Sequence, residues 1–258
     1  MTLKKHIGKI CILVSAFVYG LTPILAKTAY SGGTNGITLT FLRAAMTVPL
    51  LFFIMRAEGV STYISPRHLY KVCVLGVLGG TLPIALLYMS YSYIPTGLAT
   101  TLHFIYPIVI VFVSAFMFKE RITPKKLLAV VLVTVGIIMF TEIRGSGDRL
   151  GIILALLSGV FYSFYVIYLD ASGLDKMNYL KLTFYLMLTM SASSLIFGLA
   201  AGGMDFDMTP KAWIYSAVIS ILVTLVAVPA FQAGIKREGA ATAGILSAFE
   251  PMTTTALG

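Results

Sequence analysis

Residues 97–139 read GLATTLHFIYPIVIVFVSAFMFKERITPKKLLAVVLVTVGIIM. Two apolar runs, 96–118 and 125–142, flank a short loop, KERITPKK at 119–126, that carries four basic side chains and one glutamate. Each run is close to the roughly 20 residues with which a helix crosses a hydrocarbon core about 30 Å thick. A helix can do so because its own backbone satisfies every N–H and C=O without water. The stretch therefore predicts two membrane-spanning helices joined by a tight basic turn, and the same pattern extends outward in both directions.

Nine such runs follow one another: 8–27, 36–55, 70–91, 96–118, 125–142, 150–169, 180–200, 212–234 and 240–258. Their connections are short and rich in turn residues, as in SGGTNG at 31–36, RGSGDR at 144–149 and AGGMDFDMTPK at 201–211. The composition agrees: 58% hydrophobic and 11% charged residues exclude a soluble domain, for which about 45–50% and about 25% are usual. The spans leave no room for a soluble domain beside them, and the reading is an all-α polytopic membrane protein. Cys11 and Cys73 lie inside apolar runs without metal-ligand or CxxC spacing. No HExxH, GxSxG or phosphate-binding glycine motif is present, so no enzyme of those classes, no metal and no cofactor is expected.

The net charge of +9 is a topology signal and not a nucleic-acid footprint. With the N-terminus inside, fourteen of the 19 Lys+Arg fall on that side, four on the other, and Arg43 within a span. Basic loops resist translocation, so the N-terminus is expected in the cytoplasm and the protein in a bacterial cytoplasmic (inner) membrane. Lys4, Lys5 and Lys9 before an apolar run also fit a secretory signal. An internal repeat argues instead that Met1–Ala26 is retained.

That repeat has an offset of 143: Gly8, Ser15 and Tyr19 fall on Gly151, Ser158 and Tyr162, and Thr81-Leu82 on Thr224-Leu225. One step further, at 144, Pro66 meets Pro210 and Tyr106-Pro107 meets Glu250-Pro251. Two units result, 1–143 with five helices and 144–258 with about four. An odd number of crossings inverts the second unit relative to the first, an arrangement in which transporters place a site near the bilayer midplane. Small-xxx-small pairs (Gly76/Gly80, Ala155/Gly159, Ser194/Gly198, Ala240/Gly244) predict close interhelical seams.

A charge at mid-bilayer costs about 2.5–3.5 kcal/mol on insertion scales, so each needs a partner or a wet cavity. Arg43, His103 and Glu250 are the ionisable groups at that depth. Arg43 is read either as a clamp for a substrate carboxylate or as a structural cation paired with Glu250 or with helix-end carbonyls. Glu250, beside Pro251, is either a proton carrier or amine ligand, or a cap on a neighbouring helix. His103 suits proton coupling or simple packing. Tyr19, Tyr106 and Tyr162 are candidate cavity liners for a mixed polar and apolar ligand, with Gln232 and Thr100 beside them. Tyr88, Tyr91, Tyr93, Phe104 and Tyr165 belong more weakly to the same aromatic group.

The segment 97–139, with Pro107, Glu120 and Gly136, together with EGAATAGILSAFEPM at 238–252 and Arg43 in the second span, resembles the EamA-type members of the drug/metabolite transporter superfamily. The resemblance implies ten helices in two inverted five-helix repeats. It also implies a proton-linked or facilitative carrier of small metabolites, often amino acids or related compounds leaving the cell, working by alternating access. Its partners would be a small-molecule substrate, the lipid bilayer and protons; nucleic acid is not expected, and a homodimer is left open. The repeat predicts a further glutamate-bearing loop and a tenth helix, about 35 residues, after Gly258. The rival readings are a receptor or assembly subunit that binds without transporting, and a lipid-modifying membrane enzyme.

Overall fold

Prolines punctuate this chain, and apart from Pro23, which α1 carries without a break, they lie close to its helix interruptions. The computed structural model describes residues 2–117 and 148–257, with 123, 124, 127, 128, 130–132, 134 and 135 between them. Among these residues there is no strand. The helices are α1 Thr2–Tyr30, α2 Gly36–Ala45, α3 Thr47–Ala57, α4 Pro66–Val74, α5 Leu82–Ser90, α6 Thr96–His103 and α7 Tyr106–Met117. They continue as α8 Arg149–Ser172, α9 Tyr179–Ala200, α10 Pro210–Ile221, α11 Val228–Glu238, α12 Ala240–Leu246 and α13 Phe249–Leu257. Wider π turns, Leu75–Thr81 and Leu222–Ala227, join α4 to α5 and α10 to α11. Side-chain oxygens of Asn35, Ser65, Asp148, Asn178 and Thr209 accept from the first free N–H groups of α2, α4, α8, α9 and α10.

Among the described residues, seven stretches are long and apolar enough to cross a membrane: His6–Tyr30, Gly36–Ala57, Pro66–Ser90, Thr96–Met117, Arg149–Ser172, Tyr179–Ala200 and Pro210–Glu238. They match seven of the nine expected runs. Most of the fifth, with Glu120 and Gly136, lies outside the described residues. The ninth run is built of two short helices, Ala240–Leu246 and Phe249–Leu257, that part at Ser247–Ala248. The fourth likewise parts at Phe104–Ile105.

One rule places these irregularities. Proline has no N–H for the carbonyl four residues back and its ring crowds that carbonyl. Pro107 acts on His103, the last residue of α6, and Pro251 on Ser247, which follows α12. Pro49 acts on Ala45, the last residue of α2. Pro83 and Pro229 act on Gly79 and Leu225, inside the two π turns, where the wider ladder absorbs the missing donor. Pro251 therefore sits in the first turn of α13, where its missing donor is harmless, and not in the middle of a helix.

The two halves of the chain interleave. Helix α1 packs on α10, α11, α13 and the turn Leu222–Ala227, while α8 packs on α5, α6, α7 and the turn Leu75–Thr81. Helix α9 packs on α2, α3 and α4. Glycines set the closest approaches: a Cβ on Gly79 would come within 2.8 Å of Tyr165 Cα, and one on Gly76 within 2.8 Å of Thr189. At Gly159 an added Cβ would collide with the His103 carbonyl. Three of the predicted small-residue seams, at Gly76/Gly80, Ala155/Gly159 and Ala240/Gly244, thus press on neighbouring spans.

The ends of the bundle differ in charge. At one end Lys71 Nζ donates to Ser172 O at 2.5 Å, Lys181 Nζ to Tyr63 O at 3.0 Å, and Gly8 abuts Arg237 and Glu238. At the other, Tyr30 donates to Tyr88 O at 2.7 Å, Asn35 Nδ2 to Gly203 O at 3.0 Å, and Gly151 abuts Tyr93 and Ile94. Lys9, Arg56, Arg67, Lys71, Lys176, Lys181, Lys236 and Arg237 gather at the first end. Helix α1 runs away from it and α8 runs toward it.

Candidate functional site

A narrow cavity lies where the broken spans meet, lined by Tyr19, Thr22, Pro23, Arg43, Pro83, Ile84, Leu87, Tyr88, Tyr91, His103, Tyr162 and Glu250. It brings together five of the seven side chains that the sequence singles out, drawn from α1, α2, α6, α8 and α13. About 50 Å³ is open to the centres of water-sized spheres. Room for a water begins near 10–15 Å³ on that measure, and metabolite pockets run from about 300 Å³, so a larger guest requires the walls to part.

Helix polarity explains why charges are tolerated here. Arg43 occupies the last turn of α2, where exposed carbonyls favour a cation, and Glu250 the first turn of α13, where exposed N–H groups favour an anion. Both are buried, with 6% and 7% of their surface exposed. Both line the same cavity, and no ion pair joins them among the described residues. The Tyr88 hydroxyl lies beside the Arg43 side chain, whose buried Nε has no hydrogen-bond partner among the described residues. The turn at Met46 and the break at Ser247–Ala248 present the two groups to a common space.

His103 is held by α8. Ser158 Oγ donates to Ala155 O at 2.6 Å and lies 2.7 Å from His103 Nδ1. A hydroxyl has a single proton, so with that proton on Ala155 the ring nitrogen is the donor, and the neutral ring keeps its acceptor at Nε2. The ring packs 5.3 Å from those of both Tyr106 and Tyr162.

The remaining predicted residues divide. Tyr106 is fully buried behind the cavity wall, edge-on to Tyr162 at 4.8 Å, its hydroxyl beside Ser247. Gln232 does not line this cavity. It lies behind a stack in which Phe231 and Tyr165 flank Tyr162 at 6.2 and 5.7 Å, and it faces a separate vestibule at the basic end. Thr100 turns its hydroxyl to Thr96 O at 2.8 Å, and Tyr93, 43% exposed, sits in the turn after α5. Sequence reasoning passed over Thr22, Pro23, Pro83, Ile84 and Leu87. The prolines were the available signal, because an interrupted ladder at membrane depth persists only inside protein or beside a cavity.

With seven membrane-length helical stretches among the described residues and a cavity built at helix interruptions, the molecule is a polytopic, helical integral membrane protein. Residues 6–141 and 149–258 match the EamA-like transporter family, and the chain belongs to that family. It is a membrane transporter. An uncharacterized transporter of Synechocystis sp. is 24% identical over 280 residues, covering 97% of this chain and 84% of that one. The uncharacterized transporter YcbK of Bacillus subtilis is 24% identical over 260 residues, covering 96% and 82%. A solved structure described only as the crystal structure of a protein has a TM-score of 0.77 at 19% identity, over 97% of this chain and 86% of the other. That last likeness shows the fold alone.

Proposed function

We propose that the protein is a secondary carrier that exports small metabolites, amino acids or related compounds, by alternating access of two inverted units, 1–143 and 144–258. One observation carries the reading: Arg43 and Glu250, opposite in charge and unjoined, share one buried cavity at the ends of interrupted helices. An ammonium and a carboxylate on one small molecule would complement both. The exchange of packing supports the two-unit arrangement. Matching the first span to the sixth, and so on in order, turns the packing of α1 on the eighth and ninth spans into that of α8 on the third and fourth. The opposite directions of α1 and α8 agree with it. The gathering of basic residues at one end supports a cytoplasmic N-terminus in an inner membrane.

In this mechanism Arg43 holds the anionic group, Glu250 takes the cationic group or a proton, and the Nε2 acceptor of His103 is a second proton site. Protonation of Glu250 would release a bound ammonium, coupling cargo to proton movement. Rocking of the units would open the cavity to one end and then to the other.

The test is counterflow of labelled amino acids in liposomes containing the full-length protein. A hydrogen bond to a charged group is worth about 1.5–3 kcal/mol, so Arg43→Ala and Glu250→Gln should slow counterflow by about 10–100-fold. Saturable binding without accumulation would make the protein a receptor. Parental rates in both variants would remove Arg43 and Glu250 from the site.

A further inference from the structure

The room for a metabolite in this conformation lies at the basic end. A vestibule of about 510 Å³ is lined by Asp175, Lys176, Met177, Asn178, Tyr179, Leu182, Gln232, Ala233, Lys236 and Arg237. That volume falls within the range of about 300–1,000 Å³ typical of small-molecule sites. Lys176, Lys236 and Arg237 oppose the single lining carboxylate of Asp175. The nearby carboxylate of Asp170 accepts from Ala240 N at 3.1 Å and does not line the space. Helix α9, 22 residues long, points its N-terminus here, adding positive potential.

The second observation is Gln232. It is 4% exposed, Thr183 donates to its Oε1 at 3.4 Å, and the Tyr165 hydroxyl lies beside its amide. Its side chain forms part of the wall of the cationic pocket. Phe231, the preceding residue, stacks on Tyr162 of the inner cavity, so the vestibule and that cavity share one aromatic wall.

We infer that this vestibule is an outer binding subsite for a small organic anion, in which Lys236, Arg237 and Lys176 hold a carboxylate beside Gln232. The inference rests on the carrier reading only in making that anion the cargo. The subsite would collect the carboxylate end of the substrate at the basic mouth before the wall of Tyr162, Tyr165 and Phe231 parts. Clefts lined by one sign of charge concentrate the opposite ion in this way.

The experiment needs no transport. Cys11→Ser and Cys73→Ser remove the native thiols, and Ala233→Cys places a new one on the vestibule wall. Labelling by sulfonatoethyl and trimethylammonioethyl methanethiosulfonates is then timed, each rate normalised to that with a free thiol in solution. The anionic reagent should react about tenfold faster at low ionic strength and lose that advantage as salt rises. Lys236→Gln with Arg237→Gln should bring the ratio near one, and Gln232→Glu should lower it. Propionate should protect the thiol, whereas chloride at matched ionic strength should not. Equal normalised rates, or protection no better than chloride gives, would overturn the inference; protection by inorganic phosphate alone would overturn the carboxylate assignment. Anion-selective labelling in a protein without counterflow would sink the carrier reading and leave the subsite standing.

Discussion

Arg43 and Glu250 admit a quantitative test of what they are for. If they formed a structural ion pair, removing either would strand a buried charge, at about 3–5 kcal/mol. The geometry says otherwise: both are buried, both line the cavity, and no ion pair joins them among the described residues. A lone cation at membrane depth itself costs about 2.5–3.5 kcal/mol on insertion scales, part of it relieved by the α2 carbonyls. Arg43→Met keeps much of the volume and removes the charge, so stability should hold or rise by up to about 2 kcal/mol. For a chain of this size that is a gain of up to about 4–8 °C in Tm. Glu250→Gln and the double variant complete a cycle whose coupling energy should stay below about 1 kcal/mol. Thermal unfolding in detergent, read by size exclusion, and SDS titration would measure it, with counterflow run on the same samples. Loss of about 3 kcal/mol in each single variant, with coupling of similar size, would refute the reasoning and make the pair structural.

Three further outcomes follow from the packing. Ser158→Ala removes the acceptor of His103 Nδ1–H, and should cost about 1 kcal/mol of stability and alter the pH profile of counterflow; an unchanged profile would separate His103 from proton handling. Gly159→Val forces a side chain onto the His103 carbonyl at the break of the fourth span, and should destabilise by about 3 kcal/mol or more, seen as loss of monodisperse protein after mild heating. Asn35→Ala deletes the cap on Ile37 and Thr38 N–H groups together with the tie to Gly203 O, for about 1–2 kcal/mol in the same unfolding assay, while the cavity residues stay in place.

The spans were legible because lipid imposes a single demand on every residue between the interfaces, and a run of apolar side chains of the right length meets it without reference to neighbours. Arg43, His103 and Glu250 were legible for the converse reason, since a titratable group at that depth is expensive wherever it points. The helix breaks were half legible. Pro107 and Pro251 stand out beside polar groups, but Pro49, Pro83 and Pro229 obey the same four-residue rule with only apolar neighbours to mark them. Gln232 was misplaced because a polar residue on a span can face either the midplane or a mouth, and hydropathy does not record depth.

The sequence by itself therefore determined an all-helical membrane protein, the positions of its spans, the charged groups it must accommodate and the family it resembles. These follow from local composition and from each proline's effect on its own helix. Only the tertiary structure decided that Tyr19, Arg43, His103, Tyr162 and Glu250 share one cavity, that Tyr106 stands behind its wall, and that Gln232 belongs to a different space. Those facts depend on how α1 seats against α11 and α13, and α8 against α5 and α6, through glycine contacts. Close packing between helices far apart in the chain is a property of matched surfaces, and no single stretch of sequence contains both sides.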